Sequence, residues 1–555
     1  MVKKSKSILI LFAIFIWGCA NQIPPGGGPV DIIPPQIIEV YPSNGTTNYN
    51  KNYFEIKFSE YVDKRTVRDA IFISPPLKYP LEYEWSGRTL KINFQDTLRK
   101  NTTYTITIGA GIEDLNNHNK MIEPFSFAFS TGEKIDSGKI SGKIYDKDPA
   151  GVMVFAYKKN NNEINPSVKK PDFVSEVGKN GKYNLVGLSE GEYFVFAMKD
   201  KLRDFLYQKN EDEYGVQFKK IVLSKEIHEI NNVDFFLTKE DTIAPKILNA
   251  SMMDKNHILI DFNERIDSSK ISVDNFYIID STINKKVIPK YLFKSAEKGN
   301  QFNLCIADTL IKENKIFLIA QNVYDVYGNI NLKEEIQLNV ETKKDTAAPK
   351  IVKIENQYPD SKTDFDNPVL TLKFDDGIEE DSLRNAISVI DIKENKYPFE
   401  INKIDDTSFD VILKSNLKQR SEYQLNINLS KLSDSAGNRV DSVYKYKFTT
   451  ASELDFSGIS GKVMIDNDTN DVIVVLESSN ANKNIYKQKI DKQKNFNINK
   501  VLPGKYLLWS FIDKDKNGKY TFGSVNPFKF AEEFKFYPDT LNLRARWPVG
   551  DVILK

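Results

Sequence analysis

Hydrophobic and polar residues alternate with period two over short runs along most of the chain, and the runs recur in a set order. Phe54, Ile56 and Phe58 flank Glu55 and Lys57; Ile258, Ile260 and Phe262 surround Asp261; Leu370, Leu372 and Phe374 surround Thr371 and Lys373. A strand that buries one face has this pattern, because successive side chains point to opposite sides of the sheet. Each run leads into an acidic turn, Ser59-Glu60, Asn263-Glu264 or Asp375-Asp376, and then a short stretch that suits a helical turn. A second alternating run follows: Tyr104-Ile106-Ile108, Ile316-Leu318, or Tyr423-Leu425-Ile427. It ends in a turn rich in Asp, Asn and Gly: Glu113-Asp114-Leu-Asn-Asn117, Asp325-Val-Tyr-Gly-Asn329, Asp434-Ser-Ala-Gly-Asn438. Phe125-Phe127-Phe129, Ile336-Leu338-Val340 and Tyr444-Tyr446-Phe448 predict the closing strands.

One phrase precedes each series: Asp31-Ile-Ile-Pro-Pro-Gln-Ile37, Asp241-Thr-Ile-Ala-Pro-Lys-Ile247 and Asp345-Thr-Ala-Ala-Pro-Lys-Ile351. Proline removes a donor and disfavours helix in the residue before it, so the phrase predicts an extended lead-in to an edge strand. Repeating units of this size built from short alternating strands predict antiparallel β-sandwiches. Together, the lead-in and the later Asp/Gly/Asn turn resemble the bacterial Ig-like domain of the surface-layer type found in many Bacteroidota lipoproteins. The resemblance covers residues 31–132, 241–343 and 345–450. The first copy departs from the others in having Asn116 and Asn117 where they have Gly and Asn.

A different repeat occurs twice. Gly138-Lys-Ile-Ser-Gly-Lys-Ile144 answers Gly458-Ile-Ser-Gly-Lys-Val463. Tyr183-Asn-Leu185 through Gly191 and Tyr193 answers Phe496-Asn-Ile498 through Gly504 and Tyr506 at one constant offset. An alternating strand, a tight Gly turn and a strand opening on an aromatic residue are its physical content. It resembles the transthyretin-like, carboxypeptidase-regulatory-like module, which implies a seven-stranded sandwich serving as an accessory or rod segment, over 136–238 and 454–555. The fold class expected is all-β, a tandem of three Ig-like and two transthyretin-like sandwiches.

The amino terminus supplies an address. Lys3, Lys4 and Lys6 precede an apolar run from Ile8 to Trp17, then Gly18 and Cys19. Ten apolar residues span about 15 Å as a helix, half a hydrocarbon core, so a secretory signal fits better than a membrane span. Ile16-Trp17-Gly18-Cys19 resembles the bacterial lipoprotein signal, which implies cleavage after residue 18 and lipidation of Cys19. Residues 19–30, with Ile23-Pro-Pro-Gly-Gly-Gly-Pro29, read as a tether that cannot pack a core. Several acyl chains at about 0.8 kcal/mol per buried CH₂ give durable anchoring. Ala20 is not the Asp that resembles an inner-membrane retention signal, and Ala20-Asn21-Gln22-Ile23 lacks the acidic cluster that resembles a surface-export signal. The expected location is the outer membrane, facing the periplasm.

Composition narrows the chemistry. The 555 residues carry 77 basic and 76 acidic side chains, a net charge of +1, which gives no electrostatic case for nucleic acid. Losing residues 1–18 takes three lysines and no acid from that total and leaves −2. Two cysteines exclude a disulfide framework and a thiolate zinc cluster, and His118, His228 and His257 lie far apart in sequence. Gly458-Ile-Ser-Gly461 lacks a residue of a nucleophile elbow, and Ser460 recurs as Ser141 in a strand repeat. Glu60, Glu264 and Asp376 recur at matching places and read as exposed turn residues rather than catalytic acids. Cys305, within Phe302-Asn-Leu304-Cys-Ile306, reads as a buried, inert thiol.

One metal candidate stands out. Asp513-Lys-Asp515-Lys-Asn517-Gly518 offers oxygen ligands at positions 1, 3 and 5 of a calcium loop with Gly at 6, although Ser524 occupies position 12. A hairpin turn that needs Gly explains the same residues. The 26 Tyr and 35 Phe could form a glycan platform, but most alternate with polar residues and so face cores. These features predict a non-enzymatic, lipid-anchored scaffold, spacer or assembly factor that meets a cell-envelope protein. A surface adhesin that binds glycan or protein is the alternative, and an envelope hydrolase the third reading.

Overall fold

A computed structural model of the chain describes residues 30–160, 164–295, 298–465, 471–479 and 484–555. The signal peptide, Cys19 and all of the tether but Val30 lie outside the described residues. Among the described residues the chain is almost all β. It divides into two compact units. One comprises the chain up to Tyr207 with Glu213–Thr238 and Ser524–Phe530, the other Gln208–Asp212, Lys239–Gly523 and Ala531–Lys555.

The three Ig-like segments share one strand order. In the first, a four-stranded sheet runs Ile37–Tyr41, Tyr53–Phe58, Thr89–Asn93, Glu82–Ser86, and faces a sheet of Ile71–Ser74, Thr103–Ile108 and Phe125–Ser130. The corresponding sheets in the second open on Ile247–Met252, His257–Phe262, Gln301–Cys305, Tyr291–Lys294, and in the third on Ile351–Asn356, Val369–Phe374, Ser408–Leu413, Phe399–Lys403. The strand after each proline lead-in lies at the sheet edge, where a missing donor costs nothing. All three edge strands slip register at the same place, between Ile37 and Glu39, Ile247 and Asn249, and Ile351 and Lys353. Phe54, Ile56 and Phe58 are fully buried and their strand neighbours are not, as period two requires. The turn after this strand leads to an α-helix at Lys64–Asp69 and another at Glu380–Ala386, but only to a 3-10 turn at Val273–Asn275.

The transthyretin-like segments depart from antiparallel pairing at one strand. Gly138–Tyr145 pairs antiparallel with Lys182–Leu188 and parallel with Glu229–Ile230 and Phe235–Phe236. Ser457–Val463 pairs antiparallel with Asn495–Val501 and parallel with Val549–Leu554. Among the described residues of 457–554 there are eight strands, one more than the resemblance implies. The extra strand arises because the return path splits: Phe534–Phe536 and Leu541–Leu543 pair with opposite ends of the long strand Gly504–Ile512.

This geometry explains the repeated Ser-Gly-Lys. A Cβ on Gly142 would lie 2.0 Å from the Val233 carbonyl oxygen, and one on Gly461 2.0 Å from that of Val552. The parallel return segment crosses so close that only glycine fits. Each sandwich encloses its own apolar cluster, typified by Phe127, Val195, Leu304, Leu425 and Val474.

Candidate functional site

The two motifs that recur in every Ig-like segment meet in space. Asn329 Nδ2 donates to the carbonyl oxygen of lead-in residue Asp241 (3.0 Å) and to Asp325 Oδ2 (2.7 Å), while Asp325 Oδ1 accepts the Tyr327 and Asn329 N–H groups. Asn438 repeats the arrangement with Asp345 and Asp434. In the first copy the partner of Asp31 is Asn119, not Asn117: its side-chain amide donates to Asp31 O at 2.9 Å and Asp114 Oδ2 at 2.7 Å. That turn holds one more residue, and His118 takes a left-handed φ of 58° where Gly328 and Gly437 have 93° and 85°.

The acidic turn fastens the same lead-in a second time. Ser59 Oγ, Asn263 Oδ1 and Asp375 Oδ1 accept the N–H of Gln36, Lys246 and Lys350, the residue after each lead-in proline, at 2.9, 2.7 and 2.6 Å. Glu60 and Glu264 are therefore not free turn residues: both are half-buried against the lead-in and turn aspartates. Burial, together with Asp241 and Asp325, pushes the Glu264 carboxyl up to about 7. Burial, Asp114 and Asp31 push Glu60 upward as well.

The expectation that Asp376 is an exposed turn residue is corrected: it is 8% exposed. Within the second unit it lies over the outer face of the preceding Ig-like sheet. His257 and Cys305 are cross-strand partners there, on the side opposite the core residues Ile258 and Leu304. His257 Nε2 lies 3.2 Å from Asp376 Oδ2, and Cys305 Sγ donates to Asp376 Oδ1 at 3.8 Å. His257 Nδ1 faces both oxygens of Asp254 at 3.0 and 2.9 Å. Burial works against the imidazolium, but Asp376 and Cys305 outweigh it and the pKa rises to about 12. Burial pushes the Cys305 thiol up to about 11 against the opposing pull of His257. At neutral pH the group thus holds an imidazolium and a thiol. Cys305 is buried, as expected of it, but on the face opposite Leu304, beside Tyr291 and Phe293 beneath the neighbouring sandwich. A Cβ on Gly377 would meet the Tyr291 ring at 2.4 Å, so the covering turn lies flat on that face. A cavity of about 260 Å³ adjoins, lined by Asp254, His257, Asp345, Asp375 and Asp376 among others.

The Asp513 loop is brought together differently from the calcium pattern. Asp513 accepts the Asn517 and Gly518 N–H groups, each at 3.0 Å, and Asp515 accepts from Asn517 Nδ2 and Thr521 Oγ1 at 2.7 and 2.8 Å. Asn517 Oδ1, the expected ligand atom, accepts the Lys519 N–H at 2.6 Å. The residue that joins Asp513 and Asp515 is the buried Glu532, their carboxylate oxygens lying within 4.8 Å of one another. Glu532 accepts from Lys514 N and Thr521 N, and no twelve-residue loop pattern could have found it.

The family profile of the bacterial Ig-like domain matches residues 31–131 and 345–450. No curated protein matches the chain. Among solved structures, the N-terminal part of the bacterial S-layer protein SbsC is 16% identical over 38% of this chain and 45% of its own, with a TM-score of 0.17. SbsC domains 1–6 are 12% identical over 92% of this chain and 67% of their own, at 0.15. An L,D-transpeptidase from Mycobacterium smegmatis is 13% identical over 23% of this chain and 63% of its own, also at 0.15. The chain spans less than half of the first of these, and TM-scores of this size carry no argument about role. Two segments thus match bacterial Ig-like domains, and the segment between Ile247 and Leu338 has their strand order.

Proposed function

We propose that the protein is a non-enzymatic scaffold or spacer of the cell envelope, anchored through a lipidated Cys19 to the periplasmic face of the outer membrane, where it holds an envelope protein partner. The observation that supports this best is the way neighbouring sandwiches join within each unit. Thr105 Oγ1 donates to Val186 O (2.9 Å), Asp406 accepts the Leu292 N–H (2.6 Å), and Lys500 bridges Asp364 and Asp366 (2.9 and 2.7 Å). Directional bonds at a junction fix an angle, which a spacer needs and an isolated binding module does not.

In-cell cross-linking followed by partner identification tests the reading. One recurrent envelope partner supports it, whereas cross-links spread evenly over abundant proteins reject it. Loss of the full-length chain on protease shaving of intact cells would favour the surface adhesin. A Cys19→Ala chain should leave the membrane fraction; retention at high salt would refute lipid anchoring. Calcium in the Asp513 loop, expected on Asp513, Asp515 and Asn517 and here offered the Glu532 carboxylate beside the two aspartates, belongs to the same proposal. It predicts a higher melting temperature with calcium than with chelator, and equal melts would remove it.

A further inference from the structure

We propose that His257, Cys305 and Asp376 form a binding site for one zinc-class divalent ion that ties the second Ig-like sandwich to the third. The donor set is mixed. A thiolate and an imidazole favour zinc, cobalt or a similar borderline metal, whereas calcium and magnesium take oxygen ligands. The spacing puts the three residues within reach of one small ion, His257 and Cys305 facing different oxygens of Asp376. Bond lengths of about 2.0–2.1 Å to nitrogen, 2.3 Å to sulfur and 2.0–2.2 Å to oxygen place neighbouring ligand atoms roughly 3.3–3.6 Å apart. The His257 Nε2 to Asp376 Oδ2 distance is 3.2 Å and the Cys305 Sγ to Asp376 Oδ1 distance 3.8 Å. All three residues offer ligand atoms within 4.8 Å of one another.

The surroundings suit the role. Asp254 binds Nδ1 of His257 and so keeps the proton there, which leaves Nε2 for the ion; carboxylate-oriented histidines of this kind raise metal affinity. The adjoining cavity of about 260 Å³, with Asp254, Asp345, Asp375 and Asp376 on its walls, attracts cations and supplies water for a fourth position. Coordination takes a thiolate and a free Nε2, so protons held on those two atoms leave to solvent as the ion binds. His257 and Cys305 are fixed to each other by strand register, while Asp376 comes from the next sandwich. Binding therefore stiffens the junction. This goes beyond the scaffold reading and does not depend on which partner the protein holds.

The test uses the full chain equilibrated with Co²⁺. A thiolate-to-cobalt charge-transfer band saturating at one ion per chain is expected, displaced by Zn²⁺ and unaffected by excess Ca²⁺ or by Asp513→Asn. Cys305→Ser should abolish the band and Asp254→Asn should weaken Co²⁺ binding about 10–100-fold by releasing the ring. Should a variant fail to fold, displacement of cobalt by zinc on the unaltered chain, read together with the change in its melting temperature, decides alone. Absence of the band at saturating Co²⁺, or its persistence in Cys305→Ser, would overturn the proposal and leave the cluster as a proton-bridged ion pair. Either result leaves the cross-linking test of the scaffold untouched.

Discussion

Replacing Gly461 by alanine tests the reason given for the repeated Ser-Gly-Lys strand. The added Cβ would sit 2.0 Å from Val552 O, 2.8 Å from Val552 C and 2.9 Å from Phe496 Cζ. Ordinary contact needs the carbonyl oxygen to retreat by about 1.2 Å or more, and it belongs to backbone rather than to a flexible side chain. Overpacking of this kind costs about 1–3 kcal/mol. The shift also disturbs the parallel pairing of Gly461, Lys462 and Val463 with Val552, Ile553 and Leu554, where each lost hydrogen bond costs roughly 0.5–1.5 kcal/mol. A total of about 4 kcal/mol follows, and at roughly 4–8 °C per kcal/mol for a domain of about 100 residues the module's transition falls by about 20 °C. Gly550→Ala is the control, since the nearest atom to its Cβ is Ser460 Oγ at 3.8 Å in the same pair of strands. Hydrogen exchange of peptides spanning 457–463 and 549–554, beside circular-dichroism melts of the full chain, reads the difference. If Gly461→Ala exchanges and melts like Gly550→Ala, the close crossing is not what selects glycine.

Other substitutions probe the remaining fastenings. Asn329→Ala removes the donor shared by Asp241 O and the buried Asp325 carboxylate; about 2 kcal/mol should be lost, with faster exchange confined to residues 241–247. Asn117→Ala, in the first copy, should be close to neutral where Asn119→Ala is not, because Asn119 carries the latch. Acid should loosen the junction at Lys500. Burial raises the Asp364 pKa, but the Asp366 N–H, Lys500 and Tyr358 outweigh it and hold the carboxyl below its ordinary value. The contribution is therefore complete above the unfolded carboxylate pKa of about 3.9 and is lost as pH falls through the lower folded value. Lys500→Met should weaken that pH dependence, leaving the part owed to the Asp366 N–H and Tyr358, measured as protease susceptibility near residues 450–457.

The strands were legible because each sandwich buries one face, and burial of one face writes itself into the sequence as period two. Tyr53–Phe58 and Val369–Phe374 show the pattern without exception. What the pattern could not convey was which residues meet across modules. Cys305 reads as a core residue in Phe302-Asn-Leu304-Cys-Ile306, yet only Phe302, Leu304 and Ile306 enter that core, and the thiol is buried from the other side. Asn119 was hidden by a single inserted residue, since alignment by type favours Asn117. Glu532 reaches Asp513 and Asp515 through tertiary pairing, which local spacing does not encode.

The outward faces carry the organisation that alternation alone leaves undetermined. In Thr103–Ile108 every residue is buried: Tyr104, Ile106 and Ile108 by their own core, Thr103 and Thr105 with hydroxyls that bond Asp136 N and Val186 O beyond that sandwich, and Thr107 with its hydroxyl on Ser126 of the adjacent strand. The same logic places Asp376 over His257 and sets Lys500 between Asp364 and Asp366. Each such bond adds only about 0.5–1.5 kcal/mol, or somewhat more where charged, so these junctions contribute less to stability than the cores they connect. Their effect is directional. A threonine hydroxyl, a carboxylate and an ammonium each accept a narrow range of partner positions, so a change of angle between modules breaks several bonds together. Junctions with that property resist bending without needing large apolar areas, which would instead make the separate modules prone to associate with other chains.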